Sequence, residues 1–264
     1  MSLAATRVGA PTAPRSLVML HGIFGWGRNW QTIARAVTAA RPEYACWLVD
    51  LPHHGGSAAG RHGDTIRGCA ADLKDWASAA GVTPDVVLGH SFGGKVALAW
   101  AGRRADVAVQ AWIIDSTPEA KPAGGGAWEM LRIVRGLPRR LPAREPAIAA
   151  IMAGGFSRGV AVWMATNLVR DGDSFVWRLD FDAVTALMES FFETDLWPII
   201  GAPAPGHDYH FLKASTSSAM SDEAARRIEL AAHPRVHLHR REGTHWIHAE
   251  RPDVVVDLLV ANLP

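Results

Sequence analysis

Cysteine is nearly absent: Cys46 and Cys69 are the only two among 264 residues. Two thiols are too few for a disulfide framework and they lack metal-site spacing, so reduced structural thiols, with no metal, are expected. Long apolar runs are missing as well. No stretch reaches the roughly 18 residues that a membrane-spanning helix needs, and the opening MSLAATRVGAPTAPRS has no continuous apolar core of the secretion-signal kind. A cytoplasmic location without integral membrane contact is the resulting expectation. Excess charge is also lacking. Lys and Arg number 27 against 26 Asp and Glu, a formal net charge of +1, which gives no electrostatic footprint for nucleic acid. One segment is locally basic, LRIVRGLPRRLPAR, with Arg132, Arg135, Arg139, Arg140 and Arg144. It reads as a solvated face, with attraction of an anionic substrate as the functional alternative.

What remains is an ordinary globular composition, 48% hydrophobic and 20% charged, enough for one large domain or a core with an insertion. Short apolar, often β-branched runs bounded by Gly, Pro or Asp read as buried parallel strands. They are Leu17 to Leu20, Cys46 to Val49, Asp85 to Leu88, Val109 to Ile114, Tyr209 to Ala214 and Arg235 to His239. Helical stretches alternate with them: Asn29 to Ala40, Ile66 to Ala80, Lys95 to Arg104, Asp222 to Ala232, and a last helix opened by Pro252. Strict alternation implies an α/β fold with a mostly parallel, doubly wound sheet covered on both faces.

Between about Pro118 and Gly206 the alternation fails. KPAGGGAWEM gives a flexible entry, PAIAAIMAGGF and VAVWMATNLV look helical, and GAPAPG gives a Pro/Gly exit. The reading is a helical lid, residues 118–206, splitting a core made of 1–117 and 207–264, because long insertions on compact sheets usually cover active sites. Its Trp128, Trp163, Trp177 and Trp197 are expected mainly as packing residues.

The stretch GHSFGGK, Gly89 to Lys95, follows the run DVVL and precedes VALAWAGRR. G-x-S-x-G between a strand and a helix is the context of a nucleophile elbow. Glycines let the chain turn sharply, so that Ser91 stands exposed at the sheet edge while the N–H of Phe92, at the helix start, points to developing negative charge. A second oxyanion donor is expected from the loop after an earlier strand. HGIFG supplies it, and the backbone N–H of Ile23 is the choice, with His21 bracing the loop. The base belongs late in the chain, where GTHWIHAERP offers His245 after the last strand. His248, nearer the helix, is the structural rival.

HGIFGW, DLPHHGGS, GHSFGGK and GTHWIHAERP, in this order, resemble the α/β-hydrolase fold superfamily. Within it they most resemble a small esterase group carrying G-H-S-M-G-G-K and G-H-W-x-H-A-x-x-P, and WRLDFDAV resembles a W-R-x-N-x-D stretch of that group. Two departures stand out: Pro52 and His53 alter the D-x-R-N-H-G-x-S turn, and Thr244 replaces a glycine before the histidine. In most members of the superfamily the acid follows the penultimate strand, but the exit of that strand here reads Ser215, Thr216, Ser217, Ser218, with no acid before Asp222. Asp222 looks like a helix start. Asp115, ending the strand after the elbow helix, is therefore the expected acid, as in some families of this fold. Its alternative is a turn residue in DSTP.

The resemblance implies a cofactor-free serine hydrolase acting on a carboxylic ester or thioester of a small to medium acyl group, through an acyl-enzyme. Two other functions stay open. One is a cofactor-free lyase of the menaquinone-pathway synthase type; the other is a ligand-binding protein that keeps the pocket but turns over little. The Asp-nucleophile dehalogenases and epoxide hydrolases are disfavoured by Ser91. The sequence says nothing of oligomeric state.

Overall fold

In a computed structural model that describes residues 3–104, 107–231 and 233–264, the chain builds a seven-stranded sheet flanked by helices. In chain order the elements up to the insertion are β1 (Ala5–Val8), β2 (Arg15–Leu20), α1 (Gln31–Ala40), β3 (Tyr44–Val49), α2 (Ile66–Ala80), β4 (Val86–His90), α3 (Phe92–Ala101) and β5 (Gln110–Ile114). The insertion holds α4 (Gly126–Arg135), β6 (Arg140–Leu141), α5 (Glu145–Ala153), α6 (Arg158–Met164), β7 (Leu168–Asp171), β8 (Ser174–Trp177), α7 (Phe181–Glu193) and α8 (Trp197–Gly201). The sheet then resumes with β9 (Asp208–Ala214), α9 (Asp222–Leu230), β10 (Val236–Arg241), α10 (Ile247–Glu250) and α11 (Pro252–Asn262). The expected helix end at Ala232 lies outside the described residues, as do Met1 and Ser2 of the opening segment.

The strand order is β1-β3-β2-β4-β5-β9-β10, all parallel except β1. Each expected strand is present with ends shifted by a residue or two. The reason for their continuous apolar character is visible along β2. Val18 and Leu20 join the core beneath α2 and α3, while Leu17 and Met19 join the one beneath α1 and α11, so every residue of the run is buried. Strand β1, unanticipated, pairs antiparallel with β3 from Ala5 opposite Val49 to Val8 opposite Cys46. It is a four-residue edge strand whose residues are exposed or half-buried, so it carries no apolar signature.

From β2 the chain winds outward to β3 on one side, then crosses back to β4 and continues to the other side. The loops after β2 and β4 consequently leave in opposite directions, opening a crevice at the carboxyl edge between them.

The expected helical insertion is only partly helical. Besides five helices it holds a three-stranded antiparallel sheet, β6-β8-β7. VAVWMATNLV runs through α6 and a 3₁₀ turn at Ala165–Asn167, then enters β7. Gly172, at a left-handed φ of +61°, lies in the Gly-Asp connection of the β7-β8 hairpin. The hairpin signal was present in LVRDGDSFVW; the apolar run before it masked the change of period.

Candidate active site

The turn from β4 into α3 is made by backbone crowding that only glycine tolerates. A Cβ on Gly89 would lie 2.0 Å from the Gly93 carbonyl oxygen, and one on Gly93 would lie 2.4 Å from the His21 oxygen. The first turn of α3 therefore packs directly on the backbone leaving β2. Ser91 takes φ +52°, ψ −117°, a conformation that costs a non-glycine residue on the order of 1–3 kcal/mol. Its N–H is held by the Ile114 carbonyl at 2.9 Å. The same closeness brings the β2 loop to the serine: a Cβ on Gly22 would lie 3.6 Å from Ser91 Cβ.

Three of the expected site side chains meet at the carboxyl edge. His245 Nε2 is 3.1 Å from Ser91 Oγ, and His245 Nδ1 is 2.6 Å from Asp115 Oδ2. Asp115 is fully buried and sits just past β5 at a left-handed φ of +45°. Its second oxygen, Oδ1, accepts the Ala214 N–H at 3.0 Å, and Oδ2 also accepts the Ser217 hydroxyl at 2.5 Å. Each carboxylate oxygen is thus aimed by a donor, which orients the imidazole. Asp222 is not in this constellation; it is exposed at the start of α9, 3.3 Å from Lys213 Nζ.

The loop carrying His245 is fixed from below. His90 Nε2 donates to the His245 carbonyl at 2.7 Å, and its ring lies 4.0 Å from that of His248. Thr244 has a task that glycine lacks: its hydroxyl donates to Glu250 and accepts the Trp246 N–H. His248 is buried against His90 and Trp30, and burial, reinforced by His245, pushes its pKa down to about 3. Burial likewise holds His90 well below the ordinary imidazole value, with His248 and His245 adding to the effect.

Of the two expected oxyanion donors, Phe92 directly follows the serine and Ile23 lines the same cavity. Phe92 is the first residue of α3, so its N–H belongs to the turn that has no intrahelical acceptor. Ile23 lies in a loop braced by two histidines: His54 Nε2 meets the Ile23 carbonyl, while His21 Nδ1 donates to the Gly22 carbonyl at 2.8 Å and its Nε2 accepts the Leu51 N–H at 2.9 Å. The DLPHHGGS turn is knitted the same way. Asp50 takes the N–H groups of Gly27 and Gly56, and His53 meets Asp64 at 2.7 Å.

A cavity of about 380 Å³ opens over Ser91. Its wall is largely apolar, including Phe24, Met130, Phe156, Trp163, Phe191 and Phe192. Of the four insertion tryptophans only Trp163 reaches it, packed edge-on against Trp246; Trp177 is buried, Trp128 packs on Phe192, and Arg227 lies over Trp197. The arginine patch stays outside. Arg132 pairs with Glu129, Arg135 with Asp182 and Arg140 with Asp171, while Arg139 and Arg144 donate to backbone carbonyls. Among the described residues no group of three His, Cys, Asp or Glu side chains is arranged to hold a metal ion, and no helix is long and apolar enough to cross a membrane.

Sequence reasoning missed Ser217, His90 and Lys121. Ser217 stood in the strand exit scanned for an acid, and the signal was its hydroxyl in place of one. Lys121 lines the cavity from the start of the insertion, where nothing in the sequence marked it.

A family model described as "Alpha/beta hydrolase family" matches residues 17–258. The mouse (Mus musculus) protein named sn-1-specific diacylglycerol lipase ABHD11 is 25% identical over 260 residues, covering 97% of this chain and 82% of that protein. A more local match, 40% identical over 93 residues, is to the 2-succinyl-6-hydroxy-2,4-cyclohexadiene-1-carboxylate synthase of Salmonella paratyphi C, covering 34% of this chain and 33% of the synthase. A solved structure called "Marine microorganism esterase" superposes with a TM-score of 0.84 at 20% identity, covering 99% of each chain.

Proposed function

Since the chain belongs to the alpha/beta hydrolase family, we propose that Ser91, His245 and Asp115 form the catalytic triad of a serine hydrolase that cleaves a carboxylic ester or thioester. The observation that carries this reading is the hydrogen-bonded relay from Ser91 Oγ through His245 to buried Asp115. His245 Nε2 takes the serine proton as Oγ attacks the acyl carbon. The N–H groups of Ile23 and Phe92 stabilise the tetrahedral oxyanion. His245 then protonates the leaving alcohol or thiol, and repeats the cycle with water to release the acid. Asp115 holds the Nδ1–H tautomer and stabilises the imidazolium.

Residues 118–206 act as the lid of this site. Phe156, Trp163 and Phe191, all from the insertion, contribute to the cavity wall, so the insertion sets the size of the acyl group. A cavity of about 380 Å³, near the small end of ligand pockets, suits a small to medium acyl chain. The lyase alternative draws support from local matches over 34% of the chain, whereas the lipase match runs over 97%.

The test is fluorophosphonate labelling combined with p-nitrophenyl esters of graded chain length. Labelling at Ser91 and a burst of p-nitrophenol are expected, and Ser91→Ala should lose both, with turnover reduced on the order of a thousandfold or more. More than a tenth of the activity remaining in Ser91→Ala would sink the assignment.

A further inference from the structure

The cavity over Ser91 is largely apolar, its polar lining being mostly uncharged side chains such as Asn29, Thr216, Ser217, Ser218 and Thr244. Apart from the histidines around the serine, its charged lining among the described residues is a single lysine, Lys121, with no Arg, Asp or Glu. Lys121 sits in the segment that opens the insertion, tied to the end of α7 by its N–H, which donates to the Phe192 carbonyl at 2.9 Å. Its Nζ donates to the Ala219 carbonyl at 2.8 Å. An ammonium has three N–H donors, and Ala219 takes one.

The position of that ammonium is coupled to the reacting serine through consecutive hydrogen bonds. Ala219 N–H donates to Ser217 Oγ at 3.1 Å, and Ser217 donates to Asp115 Oδ2 at 2.5 Å, on the same oxygen that orients His245. Lys121 is thus held at a defined place in the substrate cavity. Glu119 and Asp115 act on it from beyond ion-pair distance, opposed by Lys213, and burial is the largest influence, lowering its proton affinity. A partly desolvated ammonium on an apolar wall is stabilised by a carboxylate that reaches it and gains nothing from an alkyl chain. The arginine patch does not offer this service, because none of its members lines the cavity.

We propose that Lys121 is a specificity-determining residue that binds a carboxylate carried by the ester substrate. The inference rests on the reading of Ser91 as the nucleophile of an esterase. The apolar wall takes the hydrocarbon part of the substrate, Lys121 takes its charged end, and the scissile carbonyl is left at Ser91.

Two pairs of esters test this and separate the two parts of the substrate that can carry the charge. p-Nitrophenyl hexanoate against mono-p-nitrophenyl adipate places a carboxylate at the end of the acyl chain. Phenyl butyrate against 4-carboxyphenyl butyrate places it on the leaving group. In the wild-type protein one charged ester should exceed its neutral counterpart in kcat/KM by about tenfold or more, as a charge-assisted hydrogen bond predicts. Lys121→Met should abolish that preference, mainly through KM, and Lys121→Arg should retain most of it. Neutral esters cleaved and Ser91 labelled, but with neither charged ester preferred, would overturn the lysine assignment alone. A preference unchanged in Lys121→Met would do the same. Failure to label or to cleave any of the four esters would overturn the esterase reading and this inference with it.

Discussion

Asp115→Asn isolates the orienting role of the carboxylate from its place in the fold. Residue 115 has φ +45°, a conformation that Asn adopts more readily than most side chains, so the backbone loses nothing. The amide can point either way. Ala214 N–H, 3.0 Å from Oδ1, needs an acceptor, which favours the amide oxygen there by the cost of an unsatisfied buried donor, about 1–3 kcal/mol. The NH₂ then replaces Oδ2 and donates to His245 Nδ1, at a position where the carboxylate oxygen lies 2.6 Å away. That fixes the proton on Nε2, the nitrogen that must accept from Ser91. Turnover should fall on the order of a thousandfold or more, equivalent to about 4 kcal/mol in the barrier. Initial rates on a p-nitrophenyl ester, with circular dichroism and a urea unfolding curve to check the fold, measure this. A loss below tenfold in a folded Asp115→Asn protein would refute the orienting role, and a comparable loss in Asp222→Asn would move the acid to α9.

Two further outcomes follow from the same region. Ser217→Ala removes the hydroxyl that donates to buried Asp115 and accepts the Ala219 N–H; it should cost about 1.5–3 kcal/mol of stability, as for a hydrogen bond to a charged group, while reducing turnover less than Asp115→Asn, and an unchanged urea midpoint would contradict this. Stability should also fall on acidification: His210 and His248 are held at about 3 by burial against 6.5 in the unfolded chain, so the unfolded state binds protons first. The stability they contribute is complete above pH 6.5 and is lost as pH drops toward 3, at up to about 1.4 kcal/mol per pH unit for each group; a urea midpoint constant between pH 7.5 and 5 would refute it.

Local chemistry in the sequence determined the parallel sheet and the elbow, and with the family resemblance it pointed to the residues that the fold brings together around Ser91. A buried parallel strand must be apolar on both faces, so runs such as Leu17 to Leu20 announce themselves. The crowding at Gly89 and Gly93 leaves no alternative residue, so the elbow is written in consecutive letters. Asp115 was legible because the exit of β9 offers serines where an acid would stand. Edge strand β1 was not legible, since four exposed or half-buried residues gain their order from β3 rather than from their own pattern. The β6-β8-β7 sheet was hidden for a related reason: two of its strands have four residues and the third has two, and such segments form by pairing across sequence.

Tertiary structure alone decided which polar groups surround the relay and what the cavity presents. Ser217 meets Asp115 across 102 positions of sequence, and His90 meets the His245 carbonyl across 155. The arginines of the basic segment, expected as a solvated face, are exposed, with Arg132, Arg135 and Arg140 paired to neighbouring carboxylates, whereas folding turns unremarked Lys121 to the cavity. The physical reason is that strand, helix and elbow depend on residues near one another in the chain. The direction in which an ammonium points depends on packing between segments that meet only when the sheet closes.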